Sequence, residues 1–472
     1  MLFNSVDFVV FFFIVFILYW LLNNNLKKQN LLLLISSYIF YAWWDWRFLS
    51  LIIISSLIDY TAGLKIHNSN NQKERKRWLL VSLIANLGLL SIFKYYNFFA
   101  DSFTELMSSL GWNPGDITLN IILPVGISFY TFQTLSYTID IYRKQFKPTN
   151  DIISFFTYIA FFPQLVAGPI ERASNLLPQI EKKRVFRQDY FNEGILQIFV
   201  GFFRKIVIAD TLGVYVDTVY SNIEIYNSTT IVLATVFYAF QIYYDFSGYS
   251  DIAIGTAKLL GFKFNQNFNL PYFSKSLTEF WRKWHMSLSY WLRDYLYISL
   301  GGNRKGIKIT YRNLMLTMLL GGLWHGSSWN FIAWGGIHGV VLSVEKYLKS
   351  LKIIPIPKKI SFLGYFATFL VVLLSWIFFR AQNLHSTVLA IKKIFEFDLS
   401  RPFIGDINVV VNSLIVVLIG IGFDYYLYKS NKDLETLGKN YSVQKISMIV
   451  TMIIILIILF YSNSNNFIYF QF

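Results

Sequence analysis

Apolar runs long enough to cross a bilayer recur along nearly the whole chain, separated by short polar segments of uneven charge. They begin near Val6, Leu31, Phe48, Trp78, Ile121, Phe191, Ile231, Tyr311, Ser328, Ser361, Val409 and Ile446, allowing about 20 residues per helix and tolerating tilt or shorter spans. The pattern predicts an all-α polytopic membrane protein, a single integral domain over residues 1–472 with no internal repeat and no soluble domain. Ile152–Ile170 breaks the alternation because basic residues flank it on both sides; its Phe162-Pro163 and Gly168-Pro169 breaks predict a re-entrant or in-plane helix pair. Gly248–Phe262 follows an apolar run without a charged boundary, which leaves open a new helix starting after Ser250.

Composition agrees with the pattern. Of 472 residues, 55% are apolar, 19% aromatic and only 15% charged, too greasy for a soluble protein of this length. The formal charge of +15 would suggest nucleic acid in a soluble protein, but the positions of the cations argue for topology. Six linkers, Asn23–Asn30, Lys65–Arg77, Tyr142–Tyr190, Ser247–Thr310, Lys346–Ile360 and Lys429–Lys445, hold 33 of the 42 Lys and Arg and are expected on the cytoplasmic side. Ala209–Thr229 has no basic residue and Lys94–Asn120 has one against three acids, so these should face the other side, together with both termini. The surrounding partner is expected to be membrane lipid and not nucleic acid. The aromatic and basic linker Ser247–Thr310 should pack along the membrane surface. Met1–Trp20 lacks a basic start and a small-residue cleavage site, and reads as a retained helix. With no cysteine, thiolate catalysis and Cys-ligated metal are excluded.

Candidate chemistry gathers at the histidines, of which there are five: His67, His285, His325, His338 and His385. His325 stands in Leu323-Trp324-His325-Gly326, inside an apolar, Gly- and Trp-rich segment where an ionisable side chain is costly. At 1.5 Å per residue from a helix start near Ile309, it lies roughly 24 Å into the membrane. A neutral imidazole there can accept a proton near neutral pH; it can equally serve packing alone. His338 returns on the next helix, which would bring the two imidazoles near each other across a turn at Gly326-Ser327-Ser328. Trp324, Trp329 and Trp334 either belong to an interfacial aromatic belt or shape a pocket that keeps a reactive ester from water.

A second group is Phe280-Trp281-Arg282-Lys283-Trp284-His285-Met286-Ser287, followed by Arg293, Arg304 and Lys305. These cations can bind the phosphates of a nucleotide-bearing donor, bind lipid headgroups, or simply enforce topology. Gly301-Gly302-Asn303 lacks the spacing of a phosphate loop. A third group runs from Gln241 to Asp251 and includes Asp245, Ser247 and Asp251. Its carboxylates can orient a histidine, pair with the cations just named, or cap a helix. No metal-ligand spacing occurs, so no metal is expected.

Five ordered stretches carry a resemblance: Pro124–Gln133, Pro163–Ile170, Tyr244–Asp251, Phe280–Ser289, and Gly322–Gly326 through His338-Gly339. Over roughly residues 120 to 345, with no departure at a motif position, the chain resembles the membrane-bound O-acyltransferase family. The similarity is to its bacterial branch of alginate and peptidoglycan O-acetylation membrane subunits and the teichoic acid D-alanyl transfer protein. The resemblance implies a ring of about 11 to 13 transmembrane helices plus re-entrant helices around a central tunnel. It also implies that His325 is the catalytic histidine and His285 a second functional one, with Trp324, Trp284, Asp245, Ser247, Arg282, Lys283, Arg293, Arg304 and His338 as substrate-binding candidates. No tightly bound cofactor is implied. The expected donor is a cytoplasmic thioester, acetyl-CoA, and the expected receiver a periplasmic serine-esterase-like partner that acetylates a polysaccharide, peptidoglycan in preference to alginate. The rival class is a transporter of a polysaccharide or lipid-linked sugar with a histidine proton relay.

Overall fold

The structure, a computed structural model, describes residues 1–165, 168–351, 361–460 and 467–468. Val166 and Ala167 of the second motif, and part of the Lys346–Ile360 linker, lie outside the described residues. No strand occurs among the described residues, and the chain is a multi-pass helical membrane protein. It divides into two units, Met1–Phe191 with Thr256–Asn265, and Asn192–Gly255 with Gln266–Phe472.

The first unit contains α1 (Val6–Leu21), α2 (Leu26–Asp45), α3 (Leu49–Asn68), α4 (Gln72–Leu90), α5 (Tyr96–Ser109), α6 (Ile127–Tyr142), α7 (Ile152–Ala160), α8 (Phe162–Leu165) and α9 (Ala173–Glu181). The predicted pair in Ile152–Ile170 is present as α7 and α8, both deeply buried and separated at Phe161, whose ψ of 107° leaves the helical region. The run expected near Ile121 becomes helical only at Ile127. Pro124 disfavours helical geometry at the residue before it, and Gly126 (φ 77°) supplies the left-handed entry. Between α3, α4 and α6, the buried Asp59 carboxylate accepts hydrogen bonds from Ser82 (2.5 Å) and Asn86 (2.8 Å), neutral donors that satisfy it inside the unit.

The second unit comprises most of α10 (Gln188–Phe202), then α11 (Thr211–Ser221), α12 (Ser228–Leu259) as far as Gly255, α13 (Leu277–Trp281), α14 (Met286–Trp291), α15 (Ile307–His325), α16 (Trp329–Ser350), α17 (Ser361–Arg380), α18 (Leu384–Ile394), α19 (Ile407–Ser430), α20 (Leu434–Asn440) and α21 (Val443–Phe460). No helix starts after Ser250: α12 runs unbroken for 32 residues and carries both Asp245 and Asp251 in its interior. Gly248 within it marks a crossing and not an end, since a Cβ there would lie 2.7 Å from the carbonyl oxygen of Gly201 on α10.

Among the described residues, five helical stretches are long and apolar enough to span a bilayer by length and composition: Leu26–Asn68, Gln72–Ser109, Phe362–Arg380, Ile407–Ser430 and Val443–Phe460. The first holds α2 and α3, joined at the short turn Trp46–Phe48. Helices α12, α15 and α16 fall outside this set, their apolar runs being interrupted by polar residues such as Gln241 and Asp245 in α12 and Asn313 and Thr317 in α15.

Candidate active site

The α15–α16 hairpin is the frame of the site. Its backbones touch: a Cβ on Gly322 would come within 2.1 Å of the Phe331 carbonyl oxygen, and one on Gly335 within 2.2 Å of that of Met318. Only glycine at both positions permits this approach, which fixes the last turn of α15 against the first turns of α16. Ser328 caps α16 by accepting from the Asn330 N–H (3.1 Å), and the Asn330 side chain ties the hairpin to the end of α17 through the Ala381 carbonyl (2.8 Å).

His325 is the final residue of α15, 3% exposed. Its ring is boxed by Trp324, Trp334 and Phe379, with centroids 5.0, 5.1 and 5.3 Å away. It lines a cavity of about 490 Å³ whose wall near it also includes Gly321, Met318 and Trp334. The same cavity is lined by Arg282, Arg293 and Lys346. Arg282 and Arg293 are exposed and Lys346 half-buried, so the cavity combines a buried imidazole with cations able to hold an anionic group.

The three histidines lie in one row with indoles between them. Trp324 sits between His285 and His325 (6.0 and 5.0 Å), and Trp334 between His325 and His338 (5.1 and 4.7 Å). His325 and His338, expected near each other across the turn, share Trp334 as a common ring neighbour. His338 has a fixed task. The Trp281 indole N–H donates to its Nδ1 (3.3 Å), so its proton is on Nε2, which donates to Ser375 Oγ (3.0 Å); Ser375 donates onward to the Val372 carbonyl (2.7 Å). Both nitrogens are used, and His338 holds Trp281 at the cavity wall. Trp329 is 52% exposed, whereas Trp324 and Trp334 are buried.

His285 is fully buried in the segment between α12 and α15, and burial pulls its imidazole from 6.5 to about 3, so it is neutral at cellular pH. Its Nδ1 lies 3.1 Å from Asn267 Oδ1. Its backbone is left-handed (φ 40°), a conformation costing a non-glycine residue about 1–2 kcal/mol.

The remaining candidates fall in three places. Arg282 and Arg293 line the cavity; Lys283 instead pairs with Glu279 (2.8 Å) and donates to the Phe273 carbonyl, and Arg304 is exposed away from the lining. Trp284 is buried in an aromatic core with Phe280 and Trp376 (5.5 and 5.1 Å). Asp245 pairs with Lys205 (2.7 Å), and Ser247 lines a separate polar cavity of about 60 Å³. The carboxylates of α12 therefore meet Arg204 and Lys205 in the π-helical stretch Phe203–Asp210, not the cations of the Arg282–Arg304 linker.

Residues 38–388 match the model of the membrane-bound O-acyltransferase family. The chain belongs to this family. It is 47% identical over 352 residues to the probable alginate O-acetylase of Pseudomonas putida, covering 74% of this chain and 71% of that one. It is 37% identical over 387 residues to the peptidoglycan O-acetyltransferase of Helicobacter pylori, covering 75% and 72%. Over 280 residues it is 29% identical to the teichoic acid D-alanyltransferase of Bacillus subtilis, covering 56% and 71%. As a member of the membrane-bound O-acyltransferase family with relatives so named, the chain is an acyltransferase, and the relatives support polysaccharide O-acetylation.

Sequence reasoning overlooked several residues that shape this site. Lys346 joins the cation rim from the end of α16. Glu345 beside it accepts from Leu277 and Thr278 N–H (2.5 and 3.1 Å), capping α13 and pinning the segment that carries Trp281 and Arg282. Arg204 and Lys205 went unnoticed although two adjacent cations inside an apolar run are themselves a signal.

Proposed function

We propose that this acyltransferase moves an acetyl group from acetyl-CoA, presented on the cytoplasmic side of a bacterial inner membrane, to a hydroxyl acceptor on a periplasmic serine-esterase-like partner, which passes it to an exported polysaccharide. The observation that carries the reading is His325, buried at the wall of a 490 Å³ cavity that Arg282, Arg293 and Lys346 also line. In the proposed step the acceptor oxygen attacks the thioester carbonyl while its proton passes to His325. The C–S bond then breaks and the imidazolium returns the proton to the leaving thiolate, giving an O-acetyl ester, free thiol and neutral histidine. Trp324, Trp334 and Phe379 keep water from the thioester.

The ultimate sugar never needs to enter this chain, so its identity rests with the partner. The 47% identity to an alginate O-acetylase against 37% to a peptidoglycan enzyme lends no support to the expected preference for peptidoglycan, and an exported polysaccharide is the acceptor class we put forward. The test is transfer of labelled acetyl from acetyl-CoA into exported polysaccharide by cells or vesicles carrying the chain. Wild-type transfer that needs no proton gradient, and its loss in His325→Ala at equal protein abundance, are expected. Full acetylation by that variant would overturn the assignment.

A further inference from the structure

Asn267 lies in the linker after α12, 1% exposed, and contacts the His285 segment through both its backbone and its side chain. Its backbone carbonyl accepts from the Met286 N–H (2.8 Å), bracing the left-handed turn at His285. Its side-chain oxygen accepts from the Ser287 N–H (3.3 Å) and from Ser287 Oγ (2.8 Å). Its side-chain nitrogen donates to Ser250 Oγ on α12 (3.1 Å). These contacts remove the usual ambiguity of an amide. A backbone N–H can only donate, so the atom facing Ser287 is the oxygen, and the same oxygen lies 3.1 Å from His285 Nδ1. His285 Nδ1 must therefore carry the proton of the neutral ring, and the lone pair resides on Nε2.

We propose that Asn267 is the positioning residue for His285: anchored by Ser250 and Ser287, its side-chain oxygen holds the imidazole in the Nδ1–H tautomer and makes Nε2 the basic nitrogen. The inference rests on the proposed acyl transfer and on the expectation, carried by the resemblance, that His285 is its second functional histidine; the tautomer follows from the hydrogen bonds alone. In a neutral ring the two tautomers are close in energy, so a single acceptor beside one nitrogen suffices to choose between them. An amide is the suitable chooser at a buried site because it adds no charge that would convert the ring to imidazolium. Ser250 extends the chain of orientation to α12: it keeps the amide from rotating to present its NH₂ to the ring.

Two measurements test this on the full chain. Histidine-selective ¹⁵N NMR of the purified protein, simplified by there being five histidines and with His285 assigned by His285→Gln, should show an Nδ1–H ring in the wild type and loss of that signature in Asn267→Leu. Release of free thiol from acetyl-CoA by native-host membrane vesicles should fall about 10- to 100-fold in kcat for Asn267→Leu with KM within about twofold, the range for removing an outer partner of a functional imidazole. Asn267→Asp, which keeps the acceptor oxygens but adds the charge the amide withholds, should keep the proton on Nδ1 while raising the pKa of the ring in the ¹⁵N spectra, and Ser250→Ala should lower kcat about threefold. An Nε2–H ring in the wild type, wild-type kcat in Asn267→Leu, or an Asp variant whose neutral ring carries its proton on Nε2 would each overturn the proposal. Should wild-type vesicles release no thiol from acetyl-CoA, the donor assignment fails instead, while the NMR arm still decides the tautomer.

Discussion

Two clusters of ionisable groups are buried in the second unit, and they are built on opposite plans. Around Lys205, charge is met by charge: its ammonium contacts Asp210 (2.8 Å) and Asp245 (2.7 Å), while the neighbouring Arg204 pairs with Asp251 (2.6 Å) and Asp424 (3.2 Å). Around His325, imidazoles alternate with indoles as ring neighbours. The first cluster ties α12 and α19 to the π-helical stretch after α10, and Asp245 further receives the Ile468 N–H (2.8 Å). The second lines a cavity large enough for a small-molecule donor. Burial of an ionisable group is therefore not by itself the mark of chemistry in this protein. What sets the histidine cluster apart is a cavity of about 490 Å³ that could bring a small molecule to His325.

The comparison breaks most sharply at His325 and Lys205. His325→Ala should reduce acetyl transfer by at least about 10² to 10⁴, the worth of general-base assistance, without changing abundance or melting temperature. Lys205→Met should do the reverse. Stripping the cation from two buried carboxylates costs about 3–5 kcal/mol, read as a fall in thermal stability and in membrane abundance. The triple variant Lys205→Met with Asp210→Asn and Asp245→Asn removes the orphaned charges and should regain much of that stability. If the Lys205 variant is stable and merely inactive, the division between a structural and a reactive cluster is wrong.

How much of this was legible follows from what each feature depends on. Helix positions came through because apolar runs report the bilayer directly, and His325 stood out because a histidine in such a run is expensive. The break at Phe161 could be read from Phe162-Pro163, a local signal. The unbroken α12 could not: Gly248 looks like a helix end until Gly201 is known to pass across it. Pairing was the least readable property. Asp245 and Asp251 found their cations some forty residues upstream in sequence, and Asn267 found His285 across a segment whose course no periodicity specifies. His338 had the right neighbours for a proton relay, and only its two hydrogen bonds show it is locked by Trp281 and Ser375.

That lock supplies an intermediate test. Trp281→Phe keeps the ring at the cavity wall but removes the donor to His338 Nδ1. A net hydrogen bond is worth about 1 kcal/mol, so a loss of about fivefold in kcat/KM is expected, far short of the His325 effect. A collapse as large as that of His325→Ala would instead make His338 a participant in proton transfer and would erase the distinction drawn between the two ends of the row.

The smallest effect belongs to the cation rim. Arg293 is exposed and already shares its guanidinium with Asp294 (2.6 Å), and Arg282 is exposed as well. Solvent-screened contacts of this kind are worth about 0.2–1 kcal/mol each, so Arg282→Ala and Arg293→Ala should raise KM for acetyl-CoA about two- to fivefold and leave kcat near wild type. Because the contribution is electrostatic, raising the ionic strength should raise the wild-type KM and narrow the gap to the variants. The contrast with His325 is then complete on kinetic grounds: rim residues act on donor capture, the buried imidazole on the bond that is made. A kcat effect from either arginine, or a KM indifferent to salt, would place the donor's phosphates somewhere other than this rim.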